Sequence, residues 1–163
     1  MASNDTLLVL RPNQVEQAAS NYAQLDVRNN RPCLNFDGAT AWTAHFGLHM
    51  PRNYSGGGIT ATVLWVPLTG TSGGVTWAGC FERNAPDADS ASADSFSSEQ
   101  SASSTVTTNT LYKTTSIAFT NAQIDGIAPG EFFRFRLRRD VAHASDTMSG
   151  SMAQVFMIEL RET

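Results

Sequence analysis

Charge is scarce in this sequence. Asp, Glu, Lys and Arg make up 16% of its 163 residues, against about 25% in an average domain. Lysine is nearly missing: ten of the eleven basic residues are arginine and the eleventh is Lys113. The formal net charge is −4. An excess of cations is what neutralises a phosphate backbone, so this balance argues against sequence-independent nucleic-acid binding and against a basic membrane-surface patch. Cysteine is limited to Cys33 and Cys80. Two thiols make neither a disulfide framework nor a four-ligand zinc site. Both sit in apolar strand patterns, which predicts two buried free thiols, with one bridge between them as the alternative. No apolar run approaches the roughly 18 residues of a membrane-spanning helix. The N-terminal Met-Ala-Ser-Asn-Asp lacks the basic and apolar regions of a signal peptide. The expectation is a protein made and assembled in a cytoplasm.

Hydroxyl side chains take the place of charge. Serine and threonine number 16 and 17. Threonine suits a pleated surface and serine suits turns, so the polar surface reads as strands and loops. Period-2 alternation dominates. A short apolar run at 6–10 precedes a stretch to Tyr22 with room for one helical turn. Over 33–37, Leu34 and Phe36 share one face, and Cys33, Asn35 and Asp37 the other. Over 42–50, Trp42, Ala44, Phe46, Leu48 and Met50 point one way. Segments 59–66 and 75–83, joined through Pro67 to Gly74, read as a β-hairpin with Val75, Trp77, Gly79 and Phe81 inward.

The chain changes character from Asn84 to Thr110, a Ser-rich excursion that reads as a surface detour with a short edge strand. Strand pattern returns at 111–120, anchored by Ile117 and Phe119, and a compact turn region follows to Gly130. Residues 131–139 alternate strictly, with Phe133, Phe135 and Leu137 inward and Arg134, Arg136 and Arg138 outward. Residues 140–151 read as a polar loop. The last segment, 152–161, is apolar on both faces near its middle, which predicts a central strand. The reading is an all-β, single-domain protein: an antiparallel β-sandwich, jelly-roll-like, over 23–163, preceded by an N-terminal arm with a short strand over 1–22.

Candidate chemistry is thin. His45 and His49 have the spacing of a zinc-protease pair, but on a strand they stand roughly 13 Å apart, too far to share a metal. Asp87, Asp89 and Asp94 lack the glycine and glutamate of an EF-hand loop, which leaves a solvated acidic loop or a calcium site of another kind. Trp42, Trp65 and Trp77 are in phase with apolar neighbours and read as core; exposed, they would offer a sugar-stacking platform. No cofactor site and no catalytic constellation is visible. The candidate interface is the stripe Arg134, Arg136 and Arg138, spaced about 6.7 Å apart on one face. It reads either as a solvated outer face or as an intersubunit or partner contact with acidic groups.

Several phrases carry a resemblance: Arg28-Asn-Asn-Arg-Pro-Cys-Leu-Asn-Phe-Asp37, Pro51-Arg-Asn-Tyr-Ser-Gly-Gly-Gly58, Val75-Thr-Trp-Ala-Gly-Cys-Phe-Glu-Arg83, Ala128 through Asp140, and Asp146-Thr-Met-Ser-Gly150. Together they resemble small β-sandwich structural proteins of tailed bacteriophages, especially jelly-roll capsid decoration (cement) proteins. The resemblance implies a non-enzymatic virion protein on the capsid surface. It would form a homotrimer that clamps neighbouring copies of the major capsid protein across capsomer junctions, with residues 1–22 touching the shell or a neighbouring subunit. It transfers no site residue. The alternative is a carbohydrate- or receptor-binding jelly-roll module of a phage fibre; a virion-borne glycan hydrolase would need two carboxylates facing each other across a cleft.

Overall fold

Alternation places one side of each strand against its counterpart in a second sheet. The computed structural model describes residues 5–148 and 150–163, and among them ten strands form two antiparallel sheets. They are β1 (Thr6–Leu10), β2 (Gln24–Arg28), β3 (Arg31–Phe36), β4 (Thr43–His49), β5 (Ile59–Pro67), β6 (Gly74–Asn84), β7 (Gln100–Thr105), β8 (Lys113–Phe119), β9 (Phe132–Arg139) and β10 (Ala153–Glu162). One sheet runs β2-β3-β10-β5-β8, with β1 also paired to β10; the other runs β4-β9-β6-β7. The chain is a jelly-roll-like β-sandwich.

The final strand is central, as its two-sided apolar pattern predicts. β5 lies along one edge of β10 from Ala153 to Glu162. The other edge is shared in series by β3, opposite Ala153–Val155, and β1, opposite Ile158–Arg161. β1 is thus part of the sheet, and Leu10 is in the core. Backbone bridges tie Glu16 to His45 and Tyr22 to Thr43. The arm expected over 1–22 is therefore built into both sheets over its described part; residues 1–4 lie outside the described residues.

The 59–83 hairpin needs correction. β5 pairs with β10 and β8, whereas β6 pairs with β9 and β7, so the segment Leu68–Gly73 crosses from one sheet to the other. Both strands present aromatic inner faces, and these pack across the sandwich instead of side by side. Trp65 and Trp77 meet with ring centroids 5.8 Å apart, and Phe36 stands edge-on to Trp77 at 5.0 Å. Phe81, Phe119, Phe133 and Phe135 fill the adjoining core. A Cβ on Gly79 would come within 3.1 Å of the Phe135 ring, so this position holds glycine to make room for it.

Two local features shape the outer face of the six-stranded sheet. Asn29 and Asn30 both have positive φ, 50° and 61°, as a two-residue type I′ hairpin turn requires, and they join β2 to β3. In β10 the register against β5 shifts between Val155 and Met157. This bulge turns Phe156 and Met157 to the same outer side, while Val155 and Ile158 stay in the core.

Candidate functional site

The arginine stripe faces outward from β9 as expected, but it is engaged within the chain. Arg134 binds Glu16, Glu82 and Asp94 at 3.2, 3.1 and 2.7 Å. Arg138 grips Glu99 with a two-pronged contact at 2.6–2.9 Å and also binds Asp140; Arg136 reaches Glu99 at 3.2 Å. Glu99, Asp94 and Phe96 come from the Ser-rich excursion. Phe96 lies against two of the guanidiniums, 4.5 Å from Arg136 and 5.3 Å from Arg134. The excursion thus covers the outer face of the four-stranded sheet, and β7 is its edge strand. Burial opposes ionisation of Glu99, yet the hydrogen bonds and charges of Arg138 and Arg136 more than offset it and hold its carboxyl below the usual range.

The other sequence candidates separate. His45 is buried on β4, where its Nδ1 accepts a bond from Arg134 Nη2 at 2.9 Å. Burial, then Arg134 and Arg136, depress its pKa. His49 stands against Phe132 at 4.9 Å. Asp94 pairs with Arg134, Asp89 accepts the Ala85 N–H at 2.6 Å, and Asp87 has φ 63°, so the three acids do not converge. Cys33 and Cys80 are free, buried thiols on opposite sheets, and burial pushes each up to about 11. Trp65 and Trp77 are fully buried and Trp42 packs against the same core, so none is a stacking platform.

The open site lies on the other sheet, where β3, β10 and β5 present Cys33, Phe156, Leu64 and Val66 as a small apolar patch. Tyr112, just before β8, stands over it. Its ring meets Phe156 edge-on, with centroids 5.2 Å apart and planes at 86°. Tyr112 is 46% exposed, while Phe156 beneath it is 8% exposed. On one side of this pair a hollow of about 530 Å³ is lined by Arg11, Pro12, Asn13, Pro32, Leu64 and Met157. On the other side a smaller one of about 130 Å³ is lined by Arg28, Asn29, Val66 and Thr110. Arg31, Tyr112 and Phe156 belong to both, so the two hollows adjoin along one cleft with these residues as the divide. The larger hollow alone falls in the size range of small-molecule sites, about 300–1,000 Å³.

The cleft's polar groups are held in place. Arg31 Nη1 donates to the Tyr112 hydroxyl at 2.6 Å, with its guanidinium 5.9 Å from the ring centre. Arg28 is fixed by the carbonyls of Pro67 and Asn109 and by Gln154. Gln154 in turn donates to Asn35, and Asn35 to Asp26. The residues lining the two hollows include no Asp, Glu, His or Cys. They can stack on a ring and donate hydrogen bonds; they offer no carboxylate pair for glycosidic bond cleavage. Sequence reading missed this site. Its signals were the two-sided apolar centre of β10 and the Asn29-Asn30 turn, which sets Arg28 opposite Arg31.

No family model and no curated protein matches the sequence. Solved structures are similar in fold. The CBM22-1 xylan-binding domain from Paenibacillus barcinonensis Xyn10C aligns at 13% identity and a TM-score of 0.52, over 99% of this chain and 97% of that one. The CBM22-2 xylan-binding domain of the same protein aligns at 11% identity and a TM-score of 0.50, over 92% of each chain. The tandem of the two aligns at 12% identity and a TM-score of 0.52, over 100% of this chain and 46% of the tandem. At such identities the likeness establishes a common sandwich fold. None of these three is a capsid protein.

Proposed function

We propose that this chain is a non-catalytic carbohydrate-binding module that holds a glycan in the cleft over the six-stranded sheet. The observation that carries the reading is Tyr112: an aromatic ring, 46% exposed, raised over an apolar floor and flanked by fixed hydrogen-bond donors. A sugar ring has an apolar C–H face and a rim of hydroxyls. An aromatic face with donors at its edge complements both. The xylan-binding domains that share the fold support the same reading.

The resemblance to phage β-proteins supports a setting on a virion, as the recognition module of a fibre. The homotrimer and the major capsid protein as partner rest on that resemblance alone, and the structural neighbours lend capsid decoration no support. A glycan array probed with the purified chain tests the reading. Retention of at least one class of oligosaccharide is expected; a blank array overturns it.

A further inference from the structure

The cleft's charge is at odds with the chain's. The protein is acidic overall, and the arginines of β9 on the opposite sheet are matched: Arg134, Arg136, Arg138 and Arg139 all have carboxylate partners. Arg11, Arg28 and Arg31, spaced along the cleft, form no ion pair among the described residues. Arg28 and Arg31 sit directly opposite each other across β2 and β3. Like charges in that position are destabilising. The carbonyls of Pro67 and Asn109 and Gln154 hold Arg28, and the Tyr112 hydroxyl and ring hold Arg31, but among the described residues no carboxylate forms an ion pair with either. Cations positioned by neutral acceptors and lacking a counter-charge are what a binding site presents when the anion is the ligand.

We propose that the glycan held here is acidic, a polysaccharide bearing uronate carboxylates, with Tyr112 stacking on a sugar ring while Arg11, Arg28 and Arg31 meet carboxylates along the chain. This rests on the carbohydrate-binding reading and adds the ligand class. Guanidinium and carboxylate are both planar, and their forked contact is specific for that group. The cations are distributed to fit a repeating anion: Arg11 lines the larger hollow, Arg28 the smaller, and Arg31 stands on the divide beside Tyr112. A neutral polymer would leave these guanidiniums without a counter-charge.

The test is affinity electrophoresis of the full chain in polygalacturonate, alginate and hyaluronan, each beside its carboxyl-reduced form, and in neutral xylan. At least one acidic polymer should retard the protein, with a dissociation constant at least tenfold lower than for its reduced form. The double variant Arg11→Gln/Arg31→Gln should lose that preference. Arg52→Gln, which removes one charge beside Gly130 in the turn before β9, should keep it. Equal or tighter binding of reduced or neutral polymers overturns the acidic-ligand inference and leaves the carbohydrate reading standing. Acidic binding that survives the double variant lies elsewhere and also overturns it. Failure of every polymer, acidic and neutral, overturns both.

Discussion

Arg139 and Asp146 form a two-pronged ion pair in the interior, with Nη2 to Oδ1 at 2.7 Å and Nε to Oδ2 at 2.9 Å, and side chains 0% and 2% exposed. Arg139 ends β9 pointing inward, where its remaining donors meet the carbonyls of Ser151 and Met148, each at 2.6 Å. The pair thus pins the loop between β9 and β10 against the sandwich. Removing one partner leaves a buried charge alone. Asp146→Ala should cost about 3–5 kcal/mol in urea unfolding. Asp140→Ala, which takes an outer partner from Arg138, should cost no more than about 1 kcal/mol. Equal costs would contradict this account of the loop.

Cys80 reports on the Ser-rich excursion. The thiol lies on the face where Arg136 stacks on Phe96, and burial pushes it up to about 11, so little thiolate exists at neutral pH. Phe96→Ala removes the ring that holds the excursion to Arg134 and Arg136. Labelling of Cys80 by a thiol reagent should then accelerate severalfold while Cys33, on the opposite sheet, is unchanged. Parallel acceleration of both would mean global loosening instead.

Acid should weaken the fold in two stages. His45 has its pKa depressed below the ordinary 6.5 by burial and by Arg134 and Arg136, against the opposing pull of Asp94 and Glu16. The unfolded chain therefore takes up this proton first, and stability declines as pH falls from about 6.5 toward the folded value. Glu99 is held below 4.5 by Arg138 and Arg136. Its contribution is present above the unfolded value and is lost as pH falls through the folded one. Denaturant midpoints measured between pH 8 and pH 3 should be flat above pH 7, fall from there, and fall further below about 4.5. His45→Gln should remove the first decline only; a midpoint that rises on acidification would reverse the sign.

The faces of strands were legible in the sequence, and their partners were not. Alternation assigned Phe133, Phe135 and Leu137 inward and the three arginines outward correctly, because burial on one side enforces period two. It could not say that β5 and β6 belong to different sheets, since an inward Trp65 and an inward Trp77 satisfy a hairpin and a sandwich crossing equally well. The arginine stripe was visible, but its partners Glu16, Asp94 and Glu99 come from distant segments. Tyr112 fell inside the segment 111–120 read as a strand, whereas β8 begins at Lys113, and only the fold raises the ring over Phe156. The bulge at Phe156 was legible just as a strand apolar on both faces.

The central claim is that the Tyr112 cleft binds carbohydrate, and Tyr112→Ala tests it most directly. The substitution removes a half-exposed ring that packs edge-on against Phe156, so it should cost about 1–2 kcal/mol and leave the chain folded. The measurement is the affinity of the intact chain and of this variant for whichever glycan the array identifies. The account predicts at least a tenfold loss in a variant that still unfolds cooperatively. Undiminished glycan affinity in a folded Tyr112→Ala protein would contradict it.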